Sequence, residues 1–363
     1  MRSFEAVSIV IVTGSCGLIG SQTAGFFCEK GFDVVGIDNN MRQAFFGRDA
    51  SILKNRYMLQ KAHPRYRHLW IDVRDQEKTE SAFKKFRNSI RLVVHTAAQP
   101  SHDWASSAPL VDFDINARST IAILEALRKN CPRAVFILTS TNKVYGDRPN
   151  QLPLVERATR YDLPKTHACY KGINETMPVD QCTHSLMGAS KLSADIITQE
   201  YGKYFGFKTG IFRLGCVSGP AHTGVKIHGF LSYLIQCCVL KRPYVIYGYR
   251  GKQLRDVIHS YDVSSAFYRF YKKPSSGEVY NLGGGRRACL SVLEAISLCE
   301  KISGEKMICR YDPLPRRGDH KWWISDTSKF QAQYPEWKYK YVLEEAVRQI
   351  FAARRGCMKI RSS

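Results

Sequence analysis

The chain has 363 residues, 44% of them hydrophobic and 24% charged, enough to bury a substantial core as one large or two interlocked domains. No apolar run approaches the ~20 residues that span a bilayer, and neither a low-complexity tract nor an internal repeat is present. Lys and Arg outnumber Asp and Glu by 54 to 32, a formal charge of +22 that is densest between Arg348 and Arg361. We read this excess as a solvated basic surface. Peripheral contact with an anionic membrane ranks second, and nucleic acid last, because no nucleic-acid module appears.

In chain order, Ile9-Val10-Ile11-Val12-Thr13 reads as a first strand running straight into Gly14-Ser15-Cys16-Gly17-Leu18-Ile19-Gly20. An apolar run placed this way argues for a strand and against a signal peptide. An amphipathic segment follows, then a second strand, Val34-Val35-Gly36-Ile37, ending at Asp38 and Asn39. Strand, glycine turn, helix, strand and acidic residue is the order of a dinucleotide-binding βαβ unit. Gly14 permits the turn, Gly17 lets backbone N–H groups approach a pyrophosphate, and Gly20 allows close helix–strand packing. Asp38 would accept hydrogen bonds from both adenosine ribose hydroxyls and repel a 2′-phosphate, so NAD is expected over NADP. Arg42 and Arg48 are the nearby groups that could hold such a phosphate, but they fall in a loop of undefined course.

Residues 41–66 read as loop with one helical piece, 68–73 as a third strand, and Gln76 to Phe86 as a helix. Leu92 to Ala98 is a fourth strand, Asp114 to Lys129 a helix, and Ala134 to Thr139 a fifth strand. Residues 147–183 form a long loop, followed by a helix from Met187 to Phe205 and a strand from Lys208 to Leu214. Near-continuous apolar strands alternating with helices predict an α/β fold, a Rossmann-like doubly wound parallel sheet covered on both faces. We read residues 1–218 as the NAD-binding domain and 219–363 as a smaller mixed α/β substrate-binding lobe. The segment near 256–272 is expected to return to the main sheet.

Twelve cysteines are scattered without a C-x-x-C pair. They read as reduced, mostly buried thiols of a cytoplasmic protein, with neither a metal site nor a redox centre indicated.

Several further stretches join the glycine turn: Asp72-Val73, His95-Thr96-Ala97-Ala98-Gln99-Pro100-Ser101-His102, Thr139-Ser140-Thr141-Asn142-Lys143-Val144-Tyr145-Gly146, Ser190-Lys191 and Arg255-Asp256-Val257-Ile258-His259. With them the chain, over roughly residues 8 to 350, resembles the extended short-chain dehydrogenase/reductase superfamily. Within it the likeness is to NAD-dependent nucleotide-sugar epimerases and dehydratases of the CDP-paratose (CDP-tyvelose) 2-epimerase type. The resemblance implies an isomerase that inverts C2 of a nucleotide-linked hexose through a transient ketone. A dehydratase, decarboxylase or oxidase on the same scaffold, or a non-catalytic NAD or nucleotide-sugar binding protein, are the alternatives. A homo-oligomer is compatible with it.

The resemblance also assigns residues. Asp72 and Val73 would flank the adenine, Ala97 and Ala98 would pass under the cofactor, and Lys191 would hold the nicotinamide ribose. Thr141 would hydrogen-bond the reacting hydroxyl, with Gln99, Ser101, His102 and Asn142 also facing the sugar. Arg255 and Arg316 match positions that contact the substrate diphosphate, where guanidinium geometry suits phosphate oxygens. Whether Arg316 or its neighbour Arg317 is the match stays open.

One departure matters. The superfamily places a tyrosine four residues before the lysine, and here that position is Met187. A thioether has no titratable proton, so it cannot do the general acid–base work that contributes typically ~10²–10⁴-fold. His102 and Lys143 lead the replacements we consider, ahead of Tyr145, His184, Asp180 and Tyr170. Thr141 alone is too weak an acid.

Overall fold

A computed structural model describes residues 8–226 and 228–361, with side chains to residue 356. The chain begins β1 (Ile9–Thr13), α1 (Leu18–Glu29), β2 (Asp33–Ile37), α2 (Met41–Phe46), α3 (Leu53–Ala62), β3 (Tyr66–Leu69), α4 (Gln76–Phe86) and β4 (Ile90–His95). It continues with α5 (His102–Ser107), α6 (Pro109–Phe113), α7 (Ser119–Asn130), β5 (Val135–Thr141), the short hairpin β6 (Val155–Glu156) and β7 (Tyr161–Asp162), α8 (Leu186–Phe205) and β8 (Thr209–Leu214). After these come β9 (Cys216–Ser218), α9 (Phe230–Val239), β10 (Tyr244–Tyr247), β11 (Leu254–His259), α10 (Ser260–Lys272) and β12 (Glu278–Leu282). The last elements are β13 (Cys289–Ser291), α11 (Val292–Ser303), β14 (Cys309–Asp312), β15 (Trp322–Trp323), α12 (Ser328–Gln333) and α13 (Leu343–Arg361).

Because β1 carries no charged side chain, it can be buried on both faces, and it takes an interior place in a seven-stranded parallel sheet. The order is β12-β8-β5-β4-β1-β2-β3. Successive strand residues point to opposite faces. Val10 and Val12 therefore join one apolar cluster with Phe27, Phe212 and Phe267, while Ile9 and Ile11 join another with Val93, Phe136 and Leu127. The two clusters are the two faces of the Rossmann-like sheet, each covered by helices. A second sheet, β13-β11-β15 with β9 on β11, and the parallel pair β10–β14 belong to the part of the chain after residue 215.

Two sequence expectations need correction here. Residues 41–66 hold two helices, α2 and α3, with a 3-10 turn between them. The return to the main sheet takes another route than residues 256–272 suggested. Strand β11 stays in the second sheet, where β9, β13 and β15 surround it. Helix α10 goes back alone, laying Val263, Ala266, Phe267 and Phe270 against the face that also holds Phe26 and Phe27. The strand that rejoins the main sheet is β12, in parallel register with β8 from Glu278↔Gly210 to Leu282↔Leu214. Both β11 and β12 are short apolar runs, and their spacing alone does not say which sheet takes which.

No helix among the described residues is long and apolar enough to cross a membrane. The eleven described cysteines are free thiols.

A buried polar network ties the strand ends together. Arg213 on β8 forks onto Asp195 of α8, with Nη2–Oδ1 at 2.9 Å and Nε–Oδ2 at 3.0 Å. Ser140 of β5 donates to the same carboxylate at 2.6 Å. The Arg213 Nη1 donates to the Tyr145 hydroxyl, which donates in turn to Asn281 of β12 at 2.8 Å. Removing one partner of a buried ion pair strands the other charge. Arg213→Ala should cost about 3–5 kcal/mol, read as a lower urea midpoint. An unchanged midpoint would show that the pair does not hold the sheet.

Candidate active site

The carboxyl ends of β1, β2, β4, β5 and β8 open into one cavity of about 480 Å³. It lies where the strand order reverses between β1 and β4, the place at which doubly wound sheets bind ligands. Its floor is the glycine turn. Gly14 has φ +63°, and a Cβ there would fall 2.7 Å from the Ala97 nitrogen. A Cβ on Gly20 would fall 2.0 Å from the Gly14 carbonyl oxygen, so the helix approaches the turn only without a side chain. Gly17 precedes α1 without a side-chain cap, leaving the first-turn N–H groups of Leu18, Ile19 and Gly20 free of one beside the cavity. This uncapped helix end fits a dinucleotide pyrophosphate.

Asp38 lines the same cavity together with Asn39. Its carboxylate accepts from the Cys16 N–H at 3.0 Å and the Asn40 N–H at 2.9 Å. Burial raises its pKa against those two bonds. Asp72, Val73, Ala97 and Ala98 complete this end of the cavity. Asp72 is held in a fork by Arg74, with Oδ2 accepting from Nη2 at 2.6 Å.

The other end gathers the residues expected around the sugar. Thr141 stands at the tip of β5 and its Oγ1 accepts from the Lys143 N–H at 3.3 Å. Lys191 is 6% exposed and its Nζ donates to the Thr139 carbonyl at 2.7 Å. Burial lowers its pKa to about 8, although Asp195 and Asp112 act the other way. Met187 lines the cavity one helical turn before Lys191 and is 5% exposed.

Among the replacements considered for the missing tyrosine, only two line the cavity. The His102 Nδ1 lies 2.6 Å from the Ser185 hydroxyl, which caps the helix carrying Met187 and Lys191. Burial, with Lys143 nearby, lowers its pKa to about 3, so its ring is neutral at physiological pH. The Lys143 Nζ donates to the Gly318 carbonyl at 2.9 Å, and burial lowers its pKa to about 8 despite Asp319. Tyr145 is turned into the core network, His184 bonds the Val144 carbonyl at 2.8 Å, and Arg286 stacks on Tyr170. Asp180 is paired with Arg148 at the surface.

Ser101 does not reach the cavity. It is 1% exposed, caps α5 by accepting from the Trp104 N–H, and pairs its own N–H with Gln99 at 2.6 Å. Its sequence position before a helix explains the role. Gln99 lines the cavity, yet its side-chain amide is committed to the Ser101 carbonyl and Asp112. Asn142 also lines it, largely buried.

Arg255 and Arg316 come from beyond residue 215 and form the far wall with Tyr244 and Tyr247. Arg255 pairs closely with Asp319, while Arg316 stacks over the Tyr247 ring at 4.6 Å and donates to the Lys226 carbonyl. Burial alone would raise the Asp319 carboxyl, but Arg255, Lys143 and Arg316 hold it below its ordinary value. Arg317 lines the cavity as well. Sequence reasoning missed Tyr244, Tyr247, Cys216, His222, His228 and Asp319, all cavity-lining. None lies in a local motif, and only the docking of the second sheet brings them in.

Asp38 leads to a cofactor test. Titration calorimetry should show NAD binding at least about tenfold more tightly than NADP, and Asp38→Ala should shrink that gap. Equal affinities in the unmodified chain would contradict the role of Asp38.

The comparisons with known proteins agree with this geometry. The model of the NAD dependent epimerase/dehydratase family matches residues 10–283. The chain is 29% identical over 353 residues to the CDP-paratose 2-epimerase of Salmonella typhi, covering 94% of this chain and 98% of that protein. It is 26% identical over 342 residues to a putative UDP-glucose 4-epimerase of Methanocaldococcus jannaschii, covering 94% and 97%. In fold it is similar to the UDP-glucose 4-epimerase of Thermus thermophilus solved with NAD, with a TM-score of 0.77 at 23% identity over 96% of this chain and 99% of that one. The chain belongs to the NAD-dependent epimerase/dehydratase family, and its cofactor is NAD.

Proposed function

We propose that the chain inverts C2 of a nucleotide-linked hexose and that Lys143, in place of the missing tyrosine, exchanges the hydroxyl proton. The observation that carries the proton role is the position of the Lys143 amine. Lys143 lines the same cavity as Thr141, two residues after it in the chain, with a pKa lowered to about 8 and no assigned task at the nicotinamide end. The choice of C2 rests on the near full-length match to the CDP-paratose 2-epimerase.

The glycine turn, Asp38 and Lys191 would hold NAD, which would supply a reversible hydride acceptor for the reacting carbon. Everything else is asked of the chain's own residues. The Thr141 hydroxyl orients the sugar hydroxyl, and neutral Lys143 takes its proton as the carbon becomes a ketone. The Lys143 ammonium gives the proton back after the ketone has presented its other face. Lys191 positions the nicotinamide ribose. Met187 offers an apolar wall there, and neutral His102 steadies the cap of α8 through Ser185. Arg255 and Arg316 hold the diphosphate, and Asp319 keeps Arg255 oriented until it arrives.

Met187 also favours a second reading, a binding protein that keeps NAD and the nucleotide sugar without turnover. Steady-state rates on CDP- and UDP-linked hexoses, with the product isomer identified, separate the two. Lys143→Ala should lower kcat by about 10²–10⁴-fold with NAD still bound. The kcat of the parent chain should rise with pH through about 8, as the Lys143 amine loses its proton, and the variant should lack that limb. Met187→Tyr should do little, and His102→Ala should act mildly through helix positioning. Full activity in Lys143→Ala would defeat the assignment, whereas no turnover in any form would leave the binding protein.

Arg255→Ala should weaken nucleotide-sugar binding by roughly 1.5–3 kcal/mol while leaving NAD affinity in place. Loss of both affinities together would point to a packing role instead.

A further inference from the structure

Arg42, like Arg316, lines the cavity without a carboxylate ion-pair partner among the described residues. Arg213, Arg255, Arg160 and Arg286 each pair with a carboxylate. The partners of Arg42 are neutral: Nη2 donates to the Thr223 carbonyl at 2.7 Å, and Nε to the Thr223 hydroxyl at 3.3 Å. Nη2 also lies 3.4 Å from the His228 Nδ1, and the guanidinium sits 4.9 Å over the Phe46 ring. That ring is stacked on His228 with a 17° tilt. Burial lowers the pKa of Arg42 to about 10, with no anion acting the other way.

Arg316 brings a second positive charge to the same surroundings. His228 feels Arg42, Arg316, His102 and His222, and burial together with these groups keeps its ring far below its ordinary pKa. A desolvated cation facing further basic groups is costly unless an anion completes it. The position says which anion. Arg42 stands on α2, directly after Asp38-Asn39-Asn40, and bridges to the segment that leads into α9 on the other side of the cavity. A diphosphate bound in the cavity between those walls would lie within reach of the guanidinium.

We infer that Arg42 is a diphosphate-binding residue, a cation held by neutral partners until the diphosphate of a bound nucleotide supplies its counter-charge. Two molecules carry that group, NAD and the nucleotide sugar. The NAD source is independent of the reading under Proposed function, and the nucleotide-sugar source rests on it.

The test uses the full chain and Arg42→Gln, which keeps a donor for the Thr223 carbonyl. One arm measures exchange of bound NAD for labelled NAD, with adenosine binding as its control. The other titrates CDP and UDP onto the NAD-loaded protein, with cytidine and uridine as controls. In at least one arm the diphosphate compound should bind or be retained about tenfold less well, with the nucleosides unchanged within about twofold. The affected arm names the source, and neither arm depends on turnover. Arg42→Lys, which keeps the charge, should recover part of the loss. Thermal melts of each variant accompany the binding data. Losses under about twofold in both arms would overturn the assignment. So would equal losses for nucleosides and diphosphates, which would mark Arg42 as a clasp between two loops. If Arg42→Gln does not fold, Arg42→Lys decides alone: a loss confined to diphosphate compounds supports the inference, and none overturns it.

Discussion

The buried pair of Arg213 and Asp195 is the constraint on which the reactive end of the molecule depends. It joins β8 to α8, and through Ser140 it fixes β5 against both. Thr141 follows Ser140 at the tip of β5, while Met187 and Lys191 stand upstream of Asp195 on α8. The distance between the threonine hydroxyl and the lysine amine is therefore set by a core ion pair that touches no ligand. Such a pair is costly to desolvate, and its fork geometry offsets that cost with directional bonds a hydrophobic contact could not supply. Tyr145 is drawn into the same network through Arg213 and Asn281. That is why the tyrosine nearest in sequence to Thr141 cannot stand in for the one replaced by Met187.

Charge balance explains the rest of the cavity. A cleft in which Arg42, Lys143, Lys191, Arg255, Arg316 and Arg317 outnumber Asp38, Asp72, Asp103 and Asp319 suits a polyanion. Where an internal carboxylate is present, as Asp319 is for Arg255, it holds the arginine in place by a contact that phosphate oxygens can imitate. Where none is present, carbonyls and aromatic faces hold the cation, as they do for Arg42 and Arg316. The low pKa values of His102, His222 and His228 follow from the same arrangement, because burial among cations disfavours a further positive charge. The basic excess of the whole chain is a different matter. It is spread over the surface, whereas these few cations are a property of the cavity.

Parts of this were legible residue by residue. The glycine turn, the first-turn N–H groups of α1 and Asp38 depend on neighbours only a few residues or one βαβ unit away, so spacing alone placed them. Most of the parallel strands were legible too, since long apolar runs between helices have little alternative. Ser101 was misplaced because its polar side chain answers a purely local demand, the capping of α5, that a motif match does not weigh. Arg42 lay in an apparent loop, and nothing in the linear chain shows that Thr223 and His228 come within its reach.

What the sequence by itself determined is the cofactor half of the molecule and the absence of a tyrosine at position 187. Both are local facts: a backbone that must turn without side chains, and a side chain that has no proton to give. Only the tertiary structure decided which strand returned to the main sheet. It also separated Tyr145, His184 and Asp180 from the cavity and brought Lys143, Arg255 and Asp319 to one another. Those choices depend on how two apolar surfaces dock and on which buried charges find partners. Such terms couple residues far apart in the chain, and no local pattern carries them.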